Sequence, residues 1–347
     1  MKATEALEKD PSIKNLIQLK DNEGTGQWRG SPSGLGNARI PFDVNCVLVP
    51  PALYAISELT RMPDVYPNNA ETEAWKAAAA KRAKVWKDNT PPLFQYNITT
   101  EKATSLLEDY TRKDDFYNGP THADSLHKCP SAGKVVDYAL AIKTVASPDK
   151  IAVTHTDTAF WLFLLDSEDD DQLTTFINAT ANAILRPFLA GLSTPVGAVV
   201  ANPALSGDDD LIGIFTNSAY YGTVIWGWQL ALMAKGLERQ LQGCLACHAK
   251  RAPCLIRHVP SFCRVEGVYN ALRNAYNYLW DLIEGNSDQL QSEVWSWTYS
   301  NAGYKFSPLG ALTSGTESNI RQLWSSSFLT VKRDSSLAEG RWMEVEL

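Results

Sequence analysis

The sequence lacks any apolar run long enough to cross a membrane, which takes about 18–20 consecutive apolar residues. It also lacks an excess of basic residues, since 32 Lys and Arg oppose 39 Asp and Glu and leave a net charge of −7. Without a basic field, a protein has little with which to displace counterions from phosphates. Residues 1–6 match neither a signal peptide nor a transit peptide. The sequence therefore predicts neither a membrane nor a nucleic-acid partner.

Motifs for phosphate and calcium are missing as well. Residues 23–36 are rich in glycine, but they lack the Gly-Lys-Ser/Thr ending of a phosphate loop. Their second Gly-x-Gly is also misplaced for a dinucleotide fingerprint. The acidic clusters at 168–171 and 208–210 lack the alternating ligand spacing of a calcium loop. We interpret both clusters as solvated loop tips, with calcium binding as the weaker alternative.

Cysteine is present in an even number, six, which suits an oxidising compartment. Two N-glycosylation sequons begin at Asn97 and Asn178 and suit the same compartment. Because sequons also arise by chance, the localisation stays open. An extracellular location is the expectation for a longer form of this chain.

Four of the cysteines lie between residues 244 and 263, and three interpretations compete for them. The run Cys244-Leu245-Ala246-Cys247-His248 matches the attachment pattern of c-type haem. Zinc would use Cys244, Cys247, Cys254 and His258, although this spacing is irregular for a zinc knuckle. We favour the third interpretation, a loop with free thiols or with one or two disulfides. No metal and no other cofactor is predicted.

Apolar side chains recur with helical spacing along most of the chain. The predicted helical segments are 1–20, 43–59, 70–88, 99–112, 172–190, 209–218, 223–243, 266–284 and 316–331. Asp43 or Asn45 is a candidate cap for the second segment, which the pair Pro50-Pro51 should kink or restart. Residues 134–165 contain short apolar clusters around a Ser-Pro-Asp turn, which indicates strands. The predicted fold is mainly α, with a small β insertion near 134–165.

Tryptophan is abundant and occurs in two pairs at i and i+2, within residues 222–228 and 292–297. Glu293 lies beside the second pair. Indoles cover the apolar face of a pyranose, and carboxylates accept hydrogen bonds from its hydroxyls. Burial beside indoles also raises a carboxyl pKa, as acid–base chemistry at a glycosidic bond requires. A single tryptophan more often packs in a core, so it is the clustering that favours a sugar site.

A series of short motifs follows in order along the chain. They are Gly24-Thr25-Gly26-Gln27-Trp28-Arg29, Arg39-Ile40-Pro41-Phe42-Asp43-Val44-Asn45, His155-Thr156-Asp157, Pro187-Phe188-Leu189-Ala190-Gly191-Leu192, Val200-Ala201-Asn202-Pro203, Gly222-Thr223-Val224-Ile225-Trp226, Ser292-Glu293-Val294-Trp295-Ser296-Trp297 and Thr316-Glu317-Ser318-Asn319-Ile320-Arg321-Gln322-Leu323-Trp324. As a set they resemble the fungal and bacterial glycogen-debranching-like proteins of the six-hairpin glycosidase superfamily. Each motif alone is weak, whereas the ordered set is specific.

The resemblance implies an (α/α)6 toroid, in which two concentric rings of helices surround a funnel that holds the active site. It assigns residues 1–333 to part of one catalytic domain and leaves 334–347 as a tail. Because the motifs start near residue 20, the early hairpins are expected to be missing. The toroid is then incomplete, and the chain is expected to be truncated at its N-terminus.

The same resemblance implies inverting hydrolysis of an α-glucosidic bond by two carboxylates that lie roughly 6.5–9.5 Å apart. The base of such enzymes comes from the loop before the final inner helix, so Glu293 is the predicted general base. The acid comes from the loop that resembles residues 26–30, and Asp43 is the second predicted catalytic residue. The predicted substrate-binding residues are Trp28, Arg29, Asp157, Trp226, Trp295 and Glu317.

These substrate-binding residues have two implied roles. The three tryptophans are stacking platforms, and the carboxylates of Asp157, Asp43 and Glu317 hold sugar hydroxyls or water. Glu317 has an alternative role as a charge in the first turn of a helix, where Arg321 follows at i+4.

The sequence departs from the family pattern at two positions. Trp28-Arg29 is followed by Gly30, where the family has the Asp that acts as acid. Tyr221 precedes Gly222, where the family usually has His. Glycine has no proton to give, and general acid catalysis contributes typically about 10²–10⁴-fold, so Gly30 bears directly on activity.

Three functions follow. The first is a glycoside hydrolase with Glu293 as base and Glu23 or Asp43 as acid. The second is a pseudoenzyme that binds gluco-oligosaccharides without turnover. For both, the expected partner is an oligosaccharide or polysaccharide, and a monomer is expected. The third, a haem or zinc protein organised around residues 244–263, ranks last.

Overall fold

The computed structural model describes residues 2–21, 26–128, 133–165, 171–245, 260–313 and 323–337. Helices make up 54% of the structure and strands 13%, and the strands form small sheets. The mainly helical class predicted from the sequence is confirmed.

The secondary structure has the following bounds. The α-helices are α1 (Glu5–Lys9), α2 (Val49–Leu59), α3 (Ala70–Phe94), α4 (Thr100–Lys113), α5 (Thr158–Leu164), α6 (Asp171–Leu185), α7 (Asp209–Ile214), α8 (Gly227–Leu245), α9 (Ser261–Arg264) and α10 (Glu266–Gly285). The strands are β1 (Ile40–Pro41), β2 (Gln95–Thr99), β3 (Lys134–Tyr138), β4 (Ala141–Ile142), β5 (Lys150–Ile151), β6 (Thr154–His155), β7 (Ser193–Thr194), β8 (Gly197–Ala198), β9 (Ala201–Asn202), β10 (Ile225–Trp226), β11 (Val294–Ser300) and β12 (Gly303–Ser307). A π-helical stretch, Asp43–Leu48, leads into α2.

Most predicted helices are confirmed with shifted ends. Segments 70–88, 99–112, 172–190, 209–218, 223–243 and 266–284 correspond to α3, α4, α6, α7, α8 and α10. The prediction for 1–20 is wrong in extent, because only α1 and short 3-10 turns form there. Of the segment 316–331, residues 316–322 lie outside the described residues, and Leu323–Leu329 is a 3-10 helix.

The chain divides into two compact units. Unit 1 comprises Met1–Tyr96 and Tyr138–Ala152. Unit 2 comprises Asn97–Asp137 and Val153–Leu347.

In unit 1, Asn45 connects three segments. Its Nδ2 donates to the carbonyls of Ile17 and Pro41 at 3.0 and 2.8 Å, and its Oδ1 accepts from the Ile17 N–H at 2.8 Å. The predicted cap at Asp43 or Asn45 is wrong, because the helical stretch already begins at Asp43 and Phe42 is its N-cap. Pro50 lies in the first turn of α2, which directly continues the π-helical stretch Asp43–Leu48, so the predicted kink or restart at Pro50-Pro51 stays a prediction.

The antiparallel sheet β1–β4–β5 also belongs to unit 1. The predicted β insertion near 134–165 is confirmed for β3 to β6. It is wrong for residues 158–164, which form α5 with buried side chains on several faces. A short run that is apolar all round does not distinguish a buried helix from a strand.

Unit 2 is built around two helix pairs. Helix α5 packs on α8, and α6 packs on α10. The sheet β10–β11–β12 is antiparallel and places Ile225 opposite Trp295 and Trp226 opposite Val294. The sequence pattern did not predict the β11–β12 hairpin.

The acidic cluster 208–210 is more than a solvated loop tip. The Asp208 carboxylate accepts from the N–H groups of Asp210 and Leu211, at 3.0 and 3.4 Å, and so caps α7. Asp209 forms an ion pair with Lys113 at 2.6 Å. Of the other cluster, residues 168–170 lie outside the described residues.

Cys244 and Cys263 form a disulfide that joins the end of α8 to α9. The favoured interpretation of the cysteine cluster is confirmed for this pair. Cys244 is thereby excluded as a haem-attachment residue or zinc ligand, because its sulfur is already bonded. Cys247, Cys254 and His258 lie outside the described residues. In the part of the chain that the structure describes, no group of three or more His, Cys, Asp or Glu side chains is placed to hold a metal ion.

Among the described segments, none is both long enough and apolar enough to cross a bilayer.

Asp114 follows α4 and carries a carboxyl group with a shifted pKa. Burial raises the pKa of Asp114 to about 7, although hydrogen bonds from nearby backbone N–H groups, including Phe116 at 3.4 Å, oppose the shift. The folded chain therefore binds this proton more tightly than the unfolded chain does. The ionised carboxyl costs stability progressively as the pH rises from about 4 to about 7.

Asp114→Asn is expected to raise the Tm at pH 8 but not near pH 4.5, because the amide cannot ionise. The gain at pH 8 should be on the order of 1 kcal/mol once solvent screening is discounted. Thermal denaturation at both pH values measures it, with Asp115→Asn at the exposed neighbouring position as the control. An equal gain at both pH values would contradict the assignment.

Candidate active site

Glu293 lies immediately before β11 and is buried, with 2% of its surface exposed. Its backbone carbonyl accepts from the Gly227 N–H at 3.0 Å, at the first residue of α8. Its Oε2 accepts a hydrogen bond from the Tyr220 hydroxyl at 3.1 Å. The predicted base is thus held at both its backbone and its side chain.

A tight turn presents Tyr220 to this carboxylate. The Gly222 N–H donates to the Ala219 carbonyl at 2.8 Å. A Cβ at position 222 would lie 2.2 Å from the carbonyl oxygen of Thr216. Glycine is therefore required for this turn to close.

The loop that carries the turn is bound to β11 by three hydrogen bonds. Asn217 Nδ2 donates to the Trp297 carbonyl at 2.8 Å, and Trp297 Nε1 donates to the Thr223 carbonyl at 3.1 Å. The Ser296 hydroxyl donates to the Asn217 carbonyl. Because β11 begins next to Glu293, these bonds fix Tyr220 relative to the carboxylate.

Two aromatic rings pack against the ring of Tyr220, the tyrosine whose hydroxyl contacts Glu293. Tyr221 stacks on Trp226, with centroids 5.6 Å apart and planes 8° from parallel. Tyr220 packs edge-on against both rings, at 4.9 and 4.7 Å. Trp226 Nε1 donates to the Tyr220 carbonyl at 3.0 Å. Trp226 is buried and supports the two tyrosines, which are partly exposed.

His155 and Asp157 form a second buried polar group in unit 2. Nδ1 of His155 accepts from the Asp157 N–H at 3.2 Å and lies 3.9 Å from Oδ2 of Asp157. The Thr156 N–H donates to the Val200 carbonyl at 3.3 Å, and the Val200 N–H donates to the Val224 carbonyl at 2.8 Å. Adjacent extended segments lie about 4.8 Å apart, so this group is two segments away from β10.

Trp295 and Trp297 are both fully buried. The indole N–H of Trp295 donates to the Val196 carbonyl at 2.8 Å. Both residues pack as core side chains in this structure, which matches the more frequent role of a single tryptophan. A ligand contact at Trp295 stays a prediction.

The other predicted residues near the glycine-rich loop lie in unit 1. The Arg29 guanidinium carbon is 4.4 Å from the centroid of the Trp28 ring, a cation–π contact that covers one indole face. Gln27 Oε1 accepts from the Arg29 N–H at 2.8 Å. Arg29 and Asp43 are buried, whereas Gly30 is exposed with φ of 54°.

Glu23, Glu317 and Arg321 lie outside the described residues. The structure thus brings Glu293 together with Trp226 through Tyr220, and places Arg29 against Trp28. Sequence reasoning missed Tyr220, although it noted Tyr221. The available signal was the pair of tyrosines before Gly222, in a loop with a carboxylate-bearing motif downstream.

Compared with protein-family models, curated proteins and solved structures, the chain matches none of them.

Proposed function

We propose that this chain is a glycoside hydrolase that acts on α-glucosidic bonds of gluco-oligosaccharides by inversion, with Glu293 as the general base. One observation carries the proposal: the Glu293 carboxylate is buried, hydrogen-bonded to Tyr220, and adjacent to a cluster of aromatic rings. A carboxylate among aromatic side chains is the combination that binds a sugar and activates water beside it.

In the proposed reaction, Glu293 removes a proton from a water molecule whose oxygen attacks the anomeric carbon. The glycosidic bond breaks as the new C–O bond forms on the opposite face, and the leaving oxygen takes a proton from an acid. The Tyr220 hydroxyl orients the carboxylate by donating to Oε2. Asp43 is the acid predicted from the sequence.

The stacking platforms are proposed to be Tyr220 and Tyr221, whose rings are partly exposed. Trp226 stacks on one face of the Tyr221 ring and so fixes the plane of that ring. The resemblance of the motifs to six-hairpin glycosidases supports an (α/α)6 toroid as the proposed architecture, and the helix pairs of unit 2 are compatible with it.

Calorimetry and product analysis test the proposal. Maltose- and isomaltose-type oligosaccharides are expected to bind, and hydrolysis of an α-linked substrate is expected to release the β-anomer first, as NMR detects. A chain that binds none of these sugars would refute the proposal.

The second candidate, a carbohydrate-binding protein without turnover, rests on Gly30. This residue has no side chain to donate a proton, at the position where the family pattern has the acid. Its φ of 54° lies in the left-handed region, which Asp and Asn adopt more readily than most residues.

Gly30→Asp is therefore expected to raise hydrolysis by up to roughly 10²-fold if the native protein lacks an acid. Gly30→Asn is the matched control, because it adds the same shape without an ionisable proton. Initial rates on an α-linked oligosaccharide measure the effect. Equal rates for both variants would show that position 30 supplies no acid.

A further inference from the structure

Two buried glutamines on one face of α8 differ in their hydrogen bonding. Gln229 and Gln240 are both fully buried. The Nε2 of Gln240 donates to the carbonyls of Leu162 and Leu165, at 2.7 and 3.2 Å. Within the described residues, neither Nε2 nor Oε1 of Gln229 has a hydrogen-bond partner. Buried polar groups are nearly always paired, so Gln229 requires an explanation.

The helix geometry shows what Gln229 faces. Gly236 and Gln240 follow Gln229 by seven and eleven residues, which places each of them within about 20° of Gln229 on one side of α8. That side faces α5: a Cβ on Gly236 would lie 2.9 Å from the Ala159 carbonyl oxygen. Gly236 lies against Ala159, and Gln240, one turn later in α8, bonds to Leu162 and Leu165. Later residues of α8 thus contact later residues of α5, so the two helices run parallel.

Gln229 therefore lies opposite the chain that precedes the first residue of α5. It is about 10 Å nearer the N-terminus of α8 than Gly236 is. Helix α5 begins at Thr158, only a few residues before its contact with Gly236. The segment opposite Gln229 is thus the chain at 155–157, where strand β6 ends and a turn leads into α5.

That segment contains a second buried group of the same kind. The hydroxyl of Thr156 is buried and has no hydrogen-bond partner within the described residues. The backbone bonds from Thr156 to Val200 and from Val200 to Val224 independently connect this segment, across one intervening segment, to the strand that leads into α8. Thr156 and Gln229 therefore lie at the same end of the α5–α8 pair, and Thr156 is flanked in the chain by the buried His155 and Asp157.

We propose that Gln229 and Thr156 form a subsite for a hydroxyl group of the sugar ligand. A carboxamide and a hydroxyl each donate and accept, which complements an alcohol group that also does both. Neither side chain is charged, and Asp157 beside them disfavours an anionic ligand. This proposal rests on the proposed function and specifies which residues select the sugar.

A site built to bond a hydroxyl discriminates strongly, because a ligand without that group leaves the buried partners unpaired. Such residues also cost stability in the free protein, so apolar replacements of the same shape should be tolerated. These two effects together distinguish a ligand-binding pair from ordinary core residues.

The test uses Gln229→Met and Thr156→Val in the full chain, with maltose- and isomaltose-type oligosaccharides and their monodeoxy analogues as ligands. Both variants are expected to keep or raise the Tm and to weaken sugar binding at least tenfold. One of the monodeoxy analogues should bind the wild type weakly, and its affinity should not fall further in Gln229→Met. Thr180→Val is the matched control, since Thr180 is another buried hydroxyl without a partner in the described residues, on α6. It should not change sugar affinity.

Three outcomes overturn the proposal. Unchanged sugar binding in both variants would refute the subsite and leave the proposed function intact. A fall in Tm for Gln229→Met as large as that for Gln240→Met would mean that a buried water already satisfies the amide in the free protein. If the wild type binds no sugar at all, the proposed function fails and this inference fails with it.

Discussion

Glu293→Gln is expected to lower the rate of α-glucoside hydrolysis by roughly 10²–10⁴-fold, the range that a general base contributes. The amide keeps the shape of the side chain and can still accept a hydrogen bond from Tyr220 through its oxygen. It cannot remove a proton from water. Sugar affinity should therefore stay within a few-fold of the wild type, which calorimetry measures alongside initial rates.

Glu238→Gln provides a matched control for this variant. Glu238 is a second buried glutamate of unit 2, and its Oε2 also accepts from a tyrosine hydroxyl, that of Tyr276 at 3.4 Å. It lies in the middle of α8 and forms an ion pair with Lys235. The control should lose stability without losing turnover. Full activity in Glu293→Gln would show that another group activates water.

Local signals in the sequence predicted the helices because their causes are local. The side chain of Thr99 accepts from the Lys102 N–H at 3.2 Å, as expected for the cap of α4. In α3, Asn69 accepts from the Thr72 N–H at 2.9 Å and starts the helix where the pattern begins. Such caps depend on residues three apart in the chain, so they are visible without the fold.

The strands around the site were harder to predict because their partners are distant. Trp226 pairs with Val294, and Thr154 pairs with Asn202. Two-residue strands of this kind have no detectable alternation of their own. The aromatic residues of 294–299 suit a strand, but the sequence motif around Glu293 indicates a ligand contact at Trp295.

In the candidate site, too, local sequence signals indicate some residues, whereas others depend on partners that are distant in the chain. Glu293 could be proposed from its neighbours in the sequence, whereas Tyr220 is 73 residues away from it. Gln229 resembles any glutamine of an amphipathic helix until its surroundings are known. Burial and missing partners are tertiary properties, and they define the residues that sequence patterns overlook.

Replacing both Cys244 and Cys263 with alanine is expected to destabilise unit 2 by about 3 kcal/mol, since the disulfide closes a loop with a sequence separation of 19. Alanine avoids burying a new hydroxyl at Cys244, which is 2% exposed. For a unit of this size, the Tm should fall by roughly 6–12 °C. Cys46→Ala, which removes a buried free thiol but no crosslink, is the control and should have a smaller effect.

This loss of stability should be separable from function. Cys244 follows Gln229 by fifteen residues of α8, about 22 Å along the helix axis, so the sugar affinity of the double variant should change less than about threefold. Thermal denaturation and calorimetry on the same preparation measure both quantities. A Tm within 2 °C of the wild type would mean that the crosslink does not constrain the unfolded chain. A joint loss of Tm and affinity at 25 °C would mean that the disulfide end of α8 controls the position of its first turn, where Gln229 and the backbone contact with Glu293 lie.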